Sequence, residues 1–296
     1  MREKSTKKTG EEYFRSDLAC ESLSPAAETE EWTEMEGAVT VLRRREADGG
    51  RSVTVICGEI TAWGDEARSR MADILVRELW RMTEAMTGRR VDGNLRVLVV
   101  GLGNAHMTPD AVGPDTVRRL TVTRHLREHD EALFGALGCC ELSALVPGVL
   151  GQTGMESGEL SKAAVELVCP DLVIAVDALA ARSCQRLGTT VQLSDGGIAP
   201  GAGIGNRRMA LTRDTLGCPV LSIGVPTVVD SSTLVWDALE KAGMAGGDGD
   251  KQPPPELVDV LEQGRSFLVS PKNSDDVVET YCRLLALSLN RAFGVE

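Results

Sequence analysis

Short apolar runs alternate with amphipathic stretches along most of this chain. Val97–Val100, within a strand predicted over Leu95–Val100, and Leu172–Val176 are wholly apolar. That is the pattern of strands buried on both faces of a parallel sheet. Ala38–Leu42 and Val53–Ile60 read as strands joined across Asp48-Gly49-Gly50, a hairpin signal. Thr189–Leu193 and Val220–Val225 are further strands, and Glu141–Leu145 is a weaker one. Between them, Met71, Ile74, Leu75, Leu79, Met82 and Met86 recur at spacings of three and four, which predicts a helix over Glu66–Met86 stopped by Gly88. Other helices are predicted from Pro114 to about Leu126, over Ser157–Val168 before Pro170, over Asp230–Lys241 and over Ser274–Phe293. Strands alternating with helices imply an α/β fold: a mostly parallel twisted sheet with helices on both faces. Functional groups in such sheets gather outside the carboxyl ends of the strands.

Two stretches break the pattern. Residues 1 to about 37 are polar and acidic with little periodicity, and disorder is the default expectation. Residues 243–255, rich in Gly, Asp and Pro, read as a flexible linker before the C-terminal helix.

Composition narrows the function. The 296 residues carry a net charge of −12, which argues against direct nucleic-acid binding because phosphates would be repelled. Aromatic residues make up only 3%, so the core is expected to be built from Val, Leu, Ile and Ala. Met1–Phe14 lacks the apolar region of a secretory leader, and no apolar run is long enough to span a bilayer. None of the eight cysteines forms a C-x-x-C pair or a zinc spacing; several lie in apolar stretches, which predicts reduced thiols in the cytoplasm.

The candidate chemistry lies in two aspartates, each following an apolar run. Asp110 sits in the turn Gly101–Pro114 and Asp177 directly follows Val176. A carboxylate there is costly unless it is hydrogen-bonded, paired or used. Spacing alone leaves two roles open for each: acid–base chemistry, or bracing the turn (Asp110) and capping a short helix through Ala178–Ser183 (Asp177). Gly101-Leu102-Gly103-Asn104 is not a dinucleotide fingerprint, because the third glycine would fall at His106. There is no G-x-S-x-G nucleophile elbow. His125 and His129 read as a solvated helix face. A metal held by Asp110, Asp177 and His106 has no spacing signature, so no metal or other cofactor is expected. The glycine-rich loop Ser194–Arg208 suits either tight packing or backbone pairing with an extended peptide. Gly101, Gly103 and Asn104 in the turn, with Asp195, Gly201 and Gly203 in this loop, are candidate supporting or substrate-binding positions.

Long strings carry a family resemblance. They include the Asp110 turn, Thr121–Leu126, Val146–Glu156, Asp177–Ser183, the glycine-rich loop, Ile223–Asp230 and Val269–Lys272. Together they resemble the germination proteases of spore-forming bacteria. The resemblance implies an atypical aspartic endopeptidase that degrades small acid-soluble spore proteins during germination, with a fold similar to hydrogenase maturation proteases. The family's catalytic aspartates fall on Asp110 and Asp177. It also implies a zymogen: residues 1–17 as propeptide, cleaved between Asp17 and Leu18 in Arg15-Ser16-Asp17-Leu18-Ala19-Cys20-Glu21, and residues 18–296 as a single peptidase domain with a β-hairpin extension over 38–60. A homotetramer in the forespore and spore core is implied likewise. Two nearby carboxylates do not both ionise readily, so a shared proton suits them to general acid–base hydrolysis. The competing readings are a metal-sensing maturation protease of the same fold and a non-catalytic peptide-binding module.

Overall fold

The computed structural model describes residues 16–18, 30–47, 49–200, 208–244, 260 and 267–295. Its strands are β1 (Glu30–Glu36), β2 (Val39–Arg45), β3 (Arg51–Ile56), β4 (Arg96–Gly101), β5 (Glu141–Leu145), β6 (Leu172–Ala181), β7 (Thr190–Ser194), β8 (Val220–Asp230) and β9 (Leu268–Val269). Its helices are α1 (Asp65–Thr87), α2 (Val112–Val117), α3 (Arg124–His129), α4 (Glu131–Leu137), α5 (Leu150–Thr153), α6 (Ser157–Val168), α7 (Arg213–Leu216), α8 (Ser231–Lys241) and α9 (Ser274–Phe293).

The strands form one sheet in the order β1-β2-β3-β7-β8-β6-β4-β5, with β9 paired to β8. The β5-β4-β6-β8 half is parallel. The β7-β3-β2-β1 half continues it antiparallel, so the sheet is mixed and the predicted hairpin is part of it. Burial on both faces explains why the parallel strands are largely apolar. Val97, Val99, Leu172, Ile174, Val176, Leu221 and Ile223 face one core, with α1 and α9 over it. Leu98, Val100, Val173, Ala175 and Val220 face the other, with α6 and α7 over it. Helix α1 ends as its sequence dictates: Gly88 is left-handed (φ 67°) and its N–H donates to the Glu84 carbonyl.

Three elements depart from the sequence expectation. Glu30–Glu36, expected to be disordered, pairs with β2 as an edge strand. Its side chains are largely exposed, so there was no hydrophobic period to read; backbone pairing and ion pairs to Arg43, Arg44 and Arg77 hold it. The helix predicted from Pro114 to about Leu126 breaks after α2. Thr123 is buried there instead, donating to the Cys140 carbonyl at 2.6 Å and accepting from Leu142 N–H at 2.8 Å, which stitches this segment to β5. Strand β6 runs past Asp177 to Ala181, where a short helix had been one reading. Ala178–Ala181 have little strand preference of their own, and pairing with Val225–Val229 of β8 decides their conformation. Of the predicted linker 243–255, only Gly243 and Met244 fall within the described residues.

The antiparallel half is pinned to α1 by one buried carboxylate. Glu78 is 1% exposed and takes two hydrogen bonds from Arg43 of β2, at 2.6 and 3.0 Å, plus one from Arg81 at 2.9 Å. Arg43→Met strips away the bidentate partner, and urea unfolding is expected to register a loss of about 1–3 kcal/mol. Glu34→Gln removes only the exposed, solvent-screened arm of the same cluster and is expected to leave the unfolding midpoint nearly unchanged.

Candidate active site

Neighbouring strands of unequal length open the site. The β4–β6 pairing ends at Gly101 opposite Val176, one residue before Asp177, while β6 stays paired to β8 beyond that point. Asp177 therefore lies where its neighbour on one side has run out. The chain leaving β4 turns back across this gap and carries Asp110 in a 3₁₀ turn, Thr108–Asp110.

Glycines make the turn fit. Gly103 has φ +111°, and a Cβ there would lie 2.1 Å from the Asp110 carbonyl oxygen. A Cβ on Gly113 would lie 2.3 Å from the carbonyl oxygens of both Leu102 and Val176, so α2 approaches the sheet backbone directly. Asn104 N–H donates to Asp110 Oδ2 at 2.8 Å, and the Asn104 side-chain oxygen accepts from Gln152 at 2.9 Å. Thr227 of β8 donates to the Pro109 carbonyl at 2.6 Å and ties the turn to the sheet.

Asp110 and Asp177 line one cleft of about 490 Å³, together with Asp17, Asn104, Arg208 and Thr227. Asp177 is only 5% exposed, and its Oδ1 accepts from the N–H of Ala178 at 2.9 Å. Burial pushes its carboxyl well above the usual carboxylate range; the negative charge of Asp110 adds to this, and that of Asp17 a little more. Burial also raises Asp110, while the Asn104 N–H and the Arg208 guanidinium pull it back. The two environments thus differ in degree. Each carboxylate accepts one backbone N–H, and the more deeply buried Asp177, with the Asp110 charge beside it, is the one whose proton is favoured more.

Asp17 is seated beside them. Its N–H donates to the Ala180 carbonyl and its Oδ2 accepts from the Ala180 N–H, both at 2.9 Å. Gln192 of β7 donates to the Asp17 carbonyl oxygen at 3.0 Å. Leu18 is 1% exposed and packs with Leu179, Ala181, Leu187 and Ile198.

The structure thus brings together Asp110, Asp177, Asn104, Asp17 and Leu18, with Gly101 and Gly103 shaping the backbone beneath. It places Asp195 elsewhere: that carboxylate accepts from Arg51 N–H at 2.7 Å at the end of the β3–β7 pairing and does not line the cleft. Gly201 and Gly203 lie outside the described residues. His106 is exposed, its N–H bonded to Asn104 Oδ1, so Asp110, Asp177 and His106 do not converge. Among the described residues no three His, Cys, Asp or Glu side chains come together as a metal site. His125 and His129 are exposed on α3. Cys57, Cys139, Cys140 and Cys282 are buried free thiols. No described helix is long and apolar enough to cross a membrane. Sequence reasoning missed Arg208, Thr227 and Gln192. Arg208 ends the glycine-rich loop and Thr227 lies within Ile223–Asp230, but it is the fold that brings these two and Gln192 to the site from strands and loops distant in the chain.

The sequence also matches known proteins over most of its length. A sequence model of the family described as germination protease matches residues 33–244. The chain is 35% identical over 261 residues to the germination protease of Clostridium acetobutylicum, covering 82% of this chain and 78% of that protein. It is 54% identical over 144 residues to the germination protease of Caldanaerobacter subterraneus subsp. tengcongensis, covering 49% of this chain and 44% of that one. It is 37% identical over 242 residues to that of Priestia megaterium, covering 81% and 63%.

Proposed function

This chain belongs to the germination protease family, and with that membership as premise we propose that it is an aspartic-type endopeptidase whose working pair is Asp110 and Asp177. The observation that supports this best is the shared cleft, in which both carboxyl groups lie beside the seated Asp17. Asp110, ionised, takes a proton from a water molecule as the water oxygen adds to the carbonyl carbon of the peptide. Asp177, protonated, supplies a proton to the departing nitrogen as the C–N bond breaks. One water is consumed, a carboxyl and an amine are released, and the proton left on Asp110 replaces the one that Asp177 gave up. The substrates are small acid-soluble spore proteins, cleaved in the spore core on the carboxyl side of an acidic residue that precedes a hydrophobic one. Residues 1–17 are a propeptide removed at Asp17–Leu18, and the active assembly is a homotetramer.

The test is direct. Full-length protein incubated at mildly acidic pH is expected to yield a new N-terminus at Leu18, read by N-terminal sequencing and intact mass, at a rate unchanged by a chelator. Cleavage at another bond, or none, overturns the assignment of Asp17–Leu18, and a chelator-sensitive rate overturns the metal-free pair.

A further inference from the structure

Three strands place one cross-strand row under the Asp17–Leu18 peptide. Asp177 of β6 pairs with Gly224 of β8, and Gly224 pairs with Gln192 of β7. Residues paired across a sheet share a face, so the Asp177 and Gln192 side chains rise from the same side, about 10 Å apart at two strand spacings. The residue between them has no side chain. A Cβ on Gly224 would lie 2.3 Å from Leu179 Cδ1, so Leu179 fills the space above that glycine. Leu18 packs on Leu179, and Gln192 reaches the Asp17 carbonyl oxygen at 3.0 Å. A second cavity of about 310 Å³, which Gln192, Ser194, Ser222 and Gly224 line, shares Asp17 and Leu179 with the cleft of the carboxylate pair.

We propose that Gln192 is a catalytic residue: its side-chain amide is the donor that holds the scissile carbonyl and stabilises the negative charge that develops on that oxygen when water adds. The proposal rests on the reading that Asp17–Leu18 is a bond this enzyme cuts. Four observations carry it. The atom Gln192 touches is the carbonyl oxygen of the residue preceding that bond. Gln192 is 6% exposed, so its donor acts out of bulk water, where a fixed dipole is worth more. It shares a rung and a sheet face with Asp177, and both residues line cavities that Asp17 also lines. The ends of the same residue are clamped independently, through both polar groups of Ala180 and through the Leu18 pocket. The carbonyl is therefore presented to Gln192 by contacts that do not involve it.

The experiment follows first-order self-processing of the full-length chain in four forms: unaltered, Asp177→Asn, Gln192→Met and Gln192→Glu. Gln192→Met keeps the length and volume and removes the donor; it is expected to slow appearance of the Leu18 N-terminus about 100-fold with an unchanged melting temperature. In Gln192→Glu the donor is absent while the carboxylate is ionised and returns when it is protonated. Its deficit is expected to shrink as pH falls, whereas that of Gln192→Met stays constant. The other ionisable groups of the cleft, Asp17, Asp110, Asp177 and Arg208, are common to both variants, and Gln192→Met supplies their pH profile without an added charge. A purely structural Gln192 gives no such divergence. Processing of Gln192→Met within about threefold of the unaltered chain overturns the proposal, since a lost oxyanion donor costs far more than that. A deficit in Gln192→Glu that does not change with pH also overturns it. Failure of the unaltered chain to cut at Leu18 instead overturns the underlying reading, so the two failures are distinguishable.

Discussion

Asp177→Asn is expected to cut the rate of peptide hydrolysis by about 100- to 10,000-fold while leaving the protein folded. The amide keeps the shape and still accepts from the Ala178 N–H. It has no acidic proton to give. Stability is expected to move the other way. The Asp177 carboxyl titrates higher in the folded protein than in the unfolded chain, because burial and the Asp110 charge favour its proton. Its contribution to stability is therefore complete below the ordinary aspartate value of about 4 and is lost as pH rises through the raised folded value. Between those two values the unaltered protein loses stability that Asp177→Asn does not, so the variant is expected to melt higher, by a margin that grows with pH up to the raised folded value and stays constant above it. Activity of the unaltered enzyme is expected to fall over the same rise, since the mechanism needs Asp177 protonated. Asp110→Asn is expected to lose activity to a similar extent. It also removes the neighbouring charge that raises Asp177, so the stability loss attributable to Asp177 shifts to lower pH. A folded variant of either kind that hydrolyses at the unaltered rate refutes the pair, and melting curves across pH check the linkage.

Gly103→Ala is expected to inactivate the enzyme with both aspartates still in the sequence. At φ +111° an L side chain is strained, at a cost of about 1–3 kcal/mol. The added Cβ would also lie 2.1 Å from the Asp110 carbonyl oxygen and 3.0 Å from Asp110 Oδ1, and backbone cannot swing aside as a flexible side chain does. The turn must move, and Asp110 moves with it. A displacement of 1 Å at reacting groups costs about 100-fold in rate. Gly154→Ala is the matched control. Gly154 also has positive φ, +71°, but nothing lies within 4 Å of the added methyl. It is expected to cost about 1–2 kcal/mol, the ordinary left-handed penalty, with near-normal activity. Unfolding curves and processing rates for the two variants separate backbone strain from misplacement of Asp110.

Periodicity was a reliable guide wherever burial and local preference agree. The Glu66–Met86 pattern corresponds to α1, and the apolar runs Val97–Val100 and Leu172–Val176 lie inside β4 and β6. Ser274–Phe293 is α9. Periodicity was silent for β1, whose side chains face water and whose conformation comes from partners tens of residues away. It did not decide Ala178–Ala181, where a capped short helix was one of two open readings and weak local preference yields to the β8 ladder.

The same division runs through the site. The sequence by itself determined the α/β class, the family, the two aspartates and the Asp17–Leu18 string, because each is written in contiguous residues: apolar runs, a turn, a motif. Tertiary structure alone decided which of those residues meet. It brought Asp110, Asp177 and Asp17 into one cleft, left Asp195 at a strand pairing and set His106 facing solvent. It also drew in Arg208, Thr227 and Gln192 from other parts of the chain. The physical reason is strand register: with β4 ending opposite Val176 and Gly224 bare between its neighbours, the sheet opens a space at Asp177, and register is a property of paired strands that no single strand carries.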